Sequence, residues 1–281
     1  MTTVDRVLIA EITARTADDV PIHGVLLPRQ AGSAARQRRS ATADDLAIVV
    51  GHGFTNHVRK PAVMRTLVRL SRRAAVFAFD FRGHGRSGGL STVGDREVLD
   101  VAAAVEYARR CGFRRVATLG FSMGASIVIR HAALAGPGDR PEAVAAVSGP
   151  SRWWIRETAP MRRVHWLLEQ PHGRLVAPLV GVRLDRAWET IPMSPLEAAE
   201  HVHPTPLLLV HGEQDDYFSP DHARQLHSAA SSRGELWIEP EIRHAETGMT
   251  PALVDRMAQW LDRNALHVTR QRQLIKAGTE R

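Results

Sequence analysis

Several features that define whole classes of protein are scarce in this sequence. Its 281 residues include one cysteine, Cys111, which excludes an intramolecular disulfide framework and favours a reducing compartment. No apolar run is long enough to span a bilayer, and residues 1–16 carry charges where a signal peptide would have an apolar core. We therefore expect a cytoplasmic protein that makes no stable association with membranes.

Nucleic-acid signatures are also weak, although basic residues outnumber acidic ones. The chain has 37 Lys and Arg against 30 Asp and Glu, a formal net charge of +7. Basic residues cluster at 36–39, inside a polar segment at 29–45 that we expect to be a flexible loop, and in a C-terminal tail at 266–281. Neither cluster is interleaved with aromatic residues on which bases could stack, so no nucleic-acid partner is expected.

Metal and cofactor motifs are missing as well. His201, His203 and His211 have no acidic or cysteine residue nearby at the spacing of metal ligands. The glycine-rich stretch at 83–89 lacks both the Lys-Ser/Thr pair of a phosphate-binding loop and the G-x-G-x-x-G dinucleotide fingerprint. We therefore expect neither a metal nor an organic cofactor.

Apolar, strand-like runs alternate with amphipathic helical segments through most of the chain. This alternation predicts an α/β domain with a mainly parallel sheet, preceded by an antiparallel hairpin. Residues 151–203 break the alternation, because they hold four of the six tryptophans and five prolines but no clear strand. We expect a single domain over residues 1–281, with residues 151–203 inserted as a helical cap.

A candidate nucleophile lies in the sequence Gly-Phe-Ser-Met-Gly at 120–124, between a predicted strand and a predicted helix. Glycines two residues either side of Ser122 permit the crowded turn that exposes a serine hydroxyl. The alternative is an ordinary serine in a loop of small residues. A serine attacks at neutral pH only when a neighbouring base accepts its proton. The interpretation as a nucleophile therefore depends on other segments that supply the base and a carboxylate.

His244 is the candidate base. It follows the last predicted strand, which places it at the carboxyl edge of the sheet, where catalytic groups gather in open α/β folds. Asp215 and Asp216 follow the preceding predicted strand, and either carboxylate could orient the imidazole. Three separate loops would then supply the three groups in the order serine, aspartate, histidine.

An oxyanion needs two hydrogen-bond donors beside the nucleophile. The backbone N–H of Met123, directly after the candidate serine, is one candidate donor. The other is the backbone N–H of Phe54, in the loop after the predicted strand at 46–50. His52 in the same loop is a weaker alternative as a general base, because the expected contribution of this loop is its backbone geometry.

With these motifs the chain resembles the α/β-hydrolases, in particular bacterial esterase/lipase-like and serine-aminopeptidase-like members. The matching motifs are HGFTN at 52–56, FDFRGHGRSGG at 79–89, GFSMG at 120–124, HGEQDDYFSP at 211–220 and RHAE at 243–246. The resemblance implies an eight-stranded, mostly parallel sheet flanked by helices. It also implies that the acid lies three residues after Gly212, which favours Asp215 over Asp216.

The resemblance implies a serine hydrolase that cleaves a small-molecule carboxylic ester or thioester. Ser122, His244 and Asp215 would act through an acyl-enzyme intermediate. The alternatives are an acyltransferase or a peptidase with the same three residues, or a non-catalytic binding protein on the same fold. Oligomeric state is left open.

Bulky apolar residues of the expected cap are candidates for a substrate pocket. Trp153, Trp154, Met161 and Trp166 could line an apolar site for the acyl group. Large aromatic side chains also anchor one part of a protein to another, so the same residues could fix the cap to the body. We expect both roles to contribute.

Overall fold

The strands of the computed structural model form one eight-stranded sheet. They are β1 (Ala10–Arg15), β2 (Pro21–Leu27), β3 (Leu46–Gly51), β4 (Ala75–Phe79), β5 (Arg115–Phe121), β6 (Ala143–Val147), β7 (Leu207–Gly212) and β8 (Gly234–Glu239). Their order across the sheet is β1-β2-β4-β3-β5-β6-β7-β8. β2 pairs antiparallel with both β1 and β4, and all other neighbours are parallel. The predicted α/β class and mostly parallel sheet are confirmed.

The structure describes residues 8–30, 46–170, 172–230 and 234–279, with side chains as far as residue 271. Nearly all of the flexible loop predicted at 29–45 lies outside these ranges. Within them, no helix combines the length and the apolar character needed to cross a bilayer.

Helices cover both faces of the sheet. Those described are α1 (Pro61–Leu70), α2 (Glu97–Arg110), α3 (Met123–Leu134), α4 (Ala159–Glu169), α5 (Gly173–Val176), α6 (Pro195–Glu200), α7 (Asp221–Ala229) and α8 (Pro251–Thr279). One face packs against α2, α3, α6 and α7, and the other against α1 and α8. Because both faces are covered, β3 and β7 are buried along their whole length, as expected for central parallel strands.

The segment 151–203, predicted to be a cap, contains α4, α5 and α6. A parallel bridge between Ser91 and Leu184 ties it to the loop that follows β4. α6 behaves differently from the other two helices. Ala198 and Ala199 are buried in the core under the sheet, where α6 packs against α3. The last helix of the predicted cap is therefore part of the body.

The last helix differs from the sequence prediction at its end. Residues 266–279, expected to form a separate basic tail, continue α8 as far as Thr279. Ala265 is fully buried and Val268 is 8% exposed, so the helix still contacts the body where the tail was expected to begin. Arginines are common both on the solvated face of a helix and in an irregular terminal tail. Composition alone therefore does not distinguish a continued helix from a tail.

Candidate active site

Ser122 lies at the sharp turn between β5 and α3. Its backbone has φ +52° and ψ −115°, a left-handed conformation that is rare for a residue other than glycine. The two neighbouring glycines are required by close approach. A Cβ atom at Gly120 would overlap with the backbone of Gly124, and one at Gly124 would overlap with the carbonyl of Gly51. The turn therefore depends on residues without side chains, and it presents the Ser122 hydroxyl beyond the end of β5.

The three predicted groups are brought together in a continuous hydrogen-bond chain. Ser122 Oγ is 2.9 Å from His244 Nε2, and His244 Nδ1 is 2.9 and 2.8 Å from the two carboxylate oxygens of Asp215. With a proton on Nδ1, the imidazole donates to Asp215 and leaves Nε2 free to accept the serine proton. Asp216 is exposed to solvent, and the described hydrogen bonds of the His244 ring to a carboxylate are made with Asp215.

The environment of Asp215 favours its charged form. Burial raises the pKa of this fully buried carboxyl, but the hydrogen bond and charge of His244 and the backbone N–H of Phe218 outweigh burial, so the pKa lies below its ordinary value. The backbone N–H of Tyr217 also donates to Asp215 Oδ1, at 2.9 Å. An aspartate that stays ionised can stabilise a positively charged imidazole beside it.

Two aromatic rings next to the acid hold the His244 ring in place. Tyr217 stacks on the imidazole with ring centroids 4.2 Å apart and an angle of 21° between the planes. Phe218 contacts the same ring by its edge at 5.5 Å. Neither residue was predicted to belong to the site, although both lie in the motif at 211–220.

The loop after β3 passes beside the candidate nucleophile. A Cβ atom at Gly53 would lie 3.5 Å from Ser122 Cβ, so this loop lies against the turn of Ser122. Phe54 and Met123 are the residues that directly follow Gly53 and Ser122 in the sequence. His52 is not available as a base. Its Nδ1 donates to the carbonyl of Gly53 at 2.8 Å, and its Nε2 accepts the backbone N–H of Phe81 at 3.0 Å.

A buried glutamate, Glu246, connects this loop to the segment that carries the histidine. The N–H of Gly53 donates to Glu246 Oε1 at 2.7 Å, and the Asn56 amide donates to Oε2 at 3.0 Å. Burial raises the pKa of Glu246 above its ordinary value, although the hydrogen bond from Gly53 partly opposes that shift. Glu246 lies two positions after His244 in the motif RHAE, but no role was predicted for it.

A cavity of about 270 Å³ opens beside Ser122 under the cap. Of the four predicted pocket residues, Trp153, Trp154 and Met161 line it. Trp166 does not belong to the described lining; it is 51% exposed and its ring contacts His172. Further apolar lining residues are Val93, Ile155, Val164, Leu168, Leu184, Trp188, Ile191 and Phe218. Trp153 also contacts the body, since the guanidinium of Arg130 on α3 lies over its ring, 6.0 Å from the ring centroid.

Charged residues occupy part of the cavity wall, which the sequence analysis did not predict. Arg152, Arg174 and Arg186 line it together with Glu169 and Asp185. Among the described side chains, no three His, Cys, Asp or Glu residues are grouped as potential metal ligands.

Residues 48–262 match the sequence model of the alpha/beta hydrolase family. The chain belongs to this family. The match covers the turn of Ser122, both remaining members of the hydrogen-bond chain and the whole insertion, and it assigns the protein to the hydrolases. No curated protein matches the sequence of this α/β-hydrolase.

Solved structures of other hydrolases share the fold of this α/β-hydrolase. An esterase from Pyrococcus furiosus has a TM-score of 0.68 at 23% identity, covering 92% of this chain and 93% of that one. An α/β-hydrolase from a Penicillium species has a TM-score of 0.69 at 17% identity, covering 92% and 99%. An esterase from a Rhodococcus species has a TM-score of 0.62 at 16% identity, covering 89% and 98%. At these identities the likeness concerns the fold.

Proposed function

We propose that this α/β-hydrolase cleaves carboxylic esters or thioesters, with Ser122 as nucleophile, His244 as general base and Asp215 as the orienting acid. The observation that carries the proposal is the continuous hydrogen-bond chain through these three residues, which ends at a cavity with mostly apolar walls. The esterases with the same fold add to its support. An ester suits both the hydrogen-bond chain and the cavity. Its carbonyl carbon is electrophilic and can be attacked by the serine, and its acyl group can bind to the apolar walls.

In the first half of the reaction, Ser122 Oγ attacks the carbonyl carbon while His244 Nε2 accepts the hydroxyl proton. Asp215 stabilises the imidazolium that forms. The negative charge on the carbonyl oxygen is placed against the backbone N–H groups of Phe54 and Met123. When the tetrahedral intermediate collapses, the bond to the leaving oxygen or sulfur breaks, and His244 returns the proton to the departing alcohol or thiol.

In the second half, a water molecule replaces the leaving group. His244 accepts one of its protons while the oxygen attacks the acyl-enzyme carbonyl. Collapse of this second intermediate breaks the bond to Ser122 Oγ, the serine regains a proton from the imidazolium, and the carboxylic acid leaves. A cavity of about 270 Å³ lies just below the range of about 300–1,000 Å³ that is usual for ligand pockets, which favours acyl groups of moderate size.

A covalent probe tests the nucleophile directly. We expect a fluorophosphonate to label the wild-type protein and the variant Ser228→Ala, whose serine is exposed on α7. Ser122→Ala should give no label. Labelling that persists in Ser122→Ala would overturn the assignment, and an unlabelled wild-type protein would overturn the proposed function.

A substrate panel tests the reaction class. p-Nitrophenyl esters of increasing acyl length should be hydrolysed, with a small thioester and an aminoacyl arylamide measured beside them. Hydrolysis of the arylamide in preference to every ester would favour a peptidase. Transfer of the acyl group to an added alcohol or amine in preference to water would favour an acyltransferase.

A further inference from the structure

Part of the wall of the cavity comes from the body rather than from the cap. We call residues 91–94, which follow the glycine-rich loop after β4, the pocket-wall segment. Its residues Ser91, Thr92 and Val93 line the cavity. Trp188 of the cap donates from Nε1 to the carbonyl of Thr92 at 2.6 Å, and the N–H of Ser91 donates to the carbonyl of Arg183 at 2.7 Å. The pocket-wall segment is therefore a junction between body and cap.

Glu97, the first residue of α2, holds this segment from the body side. Its side chain is fully buried and accepts four hydrogen bonds. Oε1 accepts from Ser91 Oγ and the backbone N–H of Thr92, both at 2.8 Å. Oε2 accepts from Thr92 Oγ1 at 2.6 Å and from the backbone N–H of Gly94 at 2.9 Å. A carboxylate at a helix N-terminus is also favoured by the helix dipole.

Val93, enclosed by these hydrogen bonds, has an unfavourable backbone conformation. Its φ is +54°, which is unusual for any residue with a side chain and a clear outlier for a β-branched one. Strained conformations persist only where the surroundings enforce them. Here the enforcement comes from Glu97, which binds the backbone N–H groups on either side of Val93.

The conformation directs the Val93 side chain toward the cap. Val93 packs against the small apolar cluster of Ala177, Val182 and Leu184 and lines the cavity together with Leu184. A valine in the ordinary extended conformation would project in a different direction. The strained backbone thus contributes a specific piece of apolar wall to the cavity.

We infer that Val93 limits the length of the acyl group that the cavity accepts, and that Glu97 is the positioning residue that holds Val93 in place. This inference rests on the proposed function, in which the cavity binds the acyl part of an ester. It assigns to these two residues a part in substrate selection and none in the proton transfers at Ser122.

The chemistry of the four hydrogen bonds indicates which substitution weakens the positioning. Each carboxylate oxygen of Glu97 accepts one backbone N–H, from Thr92 or from Gly94. A glutamine offers one acceptor oxygen and one NH₂ group, so Glu97→Gln leaves one of these buried N–H groups facing another donor. The size of the side chain stays nearly the same, which separates loss of positioning from creation of a cavity.

The test compares fluorophosphonates that carry an ethyl or a decyl group on phosphorus, through their rate constants for labelling. Val93→Gly should raise the ratio of decyl to ethyl labelling by about tenfold, because it removes the wall. Glu97→Gln should raise the ratio by a smaller factor. The double variant should match Val93→Gly alone, since glycine adopts a positive φ without support. Glu106→Gln, the same change at an exposed position of α2, serves as the control.

A binding measurement separates this inference from the proposed function. Decanoic acid is titrated into each variant and followed by tryptophan emission, which requires no reaction at Ser122. Val93→Gly should bind decanoate about tenfold more tightly than the wild type and butyrate equally well. This result with an unlabelled wild-type protein would overturn the proposed function and leave the wall assignment standing.

Two outcomes would overturn the inference. One is an unchanged labelling ratio and unchanged decanoate affinity in Val93→Gly, provided that its circular dichroism matches the wild type. The other concerns Glu97 alone. If the effects of Glu97→Gln and Val93→Gly multiply in the double variant, Glu97 acts independently of Val93 and is not its positioning residue.

Discussion

The proposed hydrolytic centre and the cavity proposed to bind the acyl group adjoin each other but are built from different parts of the chain. Ser122, Asp215 and His244 follow β5, β7 and β8, and the side chains of the acid and base are largely buried. The pocket takes many of its walls from the cap, where Trp154 is 44% and Ile191 is 64% exposed. The strand ends hold three side chains at hydrogen-bond distances from one another. The cap supplies apolar surface, in which one bulky side chain can replace another. Substitutions in the two regions should therefore differ in kind.

The largest effect is expected at the centre. Asp215→Asn should lower kcat by about 10⁴-fold, because the amide no longer holds the imidazole in the tautomer that accepts the serine proton. Asp216→Asn, one residue away and exposed, should leave the rate near that of the wild type. The measurement is kcat for a p-nitrophenyl ester. Equal losses in the two variants would contradict the assignment of the acid.

A smaller effect is expected from Glu246, one step removed from the reacting atoms. Glu246→Ala leaves the N–H of Gly53 without its acceptor, so the loop that carries Phe54 should shift and kcat should fall by about 10- to 100-fold with little change in KM. Glu246→Gln should recover most of the activity, because the Asn56 amide can turn its oxygen toward the new NH₂ group. A loss confined to KM would place the loop in substrate binding instead.

In the pocket, the expected effect depends on the substrate. Trp154→Ala should lower kcat/KM about tenfold for a long acyl ester and leave an acetyl ester nearly unaffected. Trp166→Ala is the matched control, because Trp166 lies on the cap outside the described lining of the cavity. Equal losses of kcat/KM for short and long esters in Trp154→Ala would show that this cap residue affects the reaction at Ser122 and not only the binding of the acyl group.

The last expected effect concerns stability and leaves the rate of the reaction unchanged. His131 is buried in α3 with neither ring nitrogen hydrogen-bonded to a described group, and burial lowers its pKa to about 4 from 6.5. Between pH 6.5 and 4, His131 therefore binds a proton in the unfolded chain but not in the folded one. The free energy of unfolding falls as pH drops through this range, by at most about 3 kcal/mol.

Urea unfolding across this pH range measures that loss. His131→Leu should show a shallower fall in the free energy of unfolding than the wild type. His172→Leu, at a cap histidine that contacts Trp166, should keep the slope of the wild type. A wild-type slope in His131→Leu would mean that another group controls the acid sensitivity.

The fold and the convergence of Ser122, Asp215 and His244 could be predicted from the sequence because both follow from local patterns. Alternating strands and helices define the sheet, and groups that follow parallel strands must meet at one edge. The partners of Glu246 were not predictable in the same way. Glu246 binds a loop 193 residues earlier in the chain, and a buried glutamate has no spacing that distinguishes it from an exposed one.

The pocket was predicted only in part, for a geometric reason. Met161 and Trp166 lie five residues apart on α4, which places them about 140° apart around the helix. A single cavity therefore cannot easily receive both, and Met161 is the one that faces it. The choice between the two sides depended on how α4 packs, which no local pattern reveals.

β3 and β5 are neighbouring parallel strands in which Gly51 lies opposite Gly120. The loop that carries Phe54 begins directly after Gly51, and Ser122 lies two residues after Gly120. A slip of one residue between the strands would shift Ser122 relative to the backbone N–H of Phe54 by about 3.3 Å, more than the length of a hydrogen bond. Substitutions in the cap can therefore change which substrates bind. The register of β3 and β5 has to stay the same, because it keeps Ser122 beside the loop that carries Phe54.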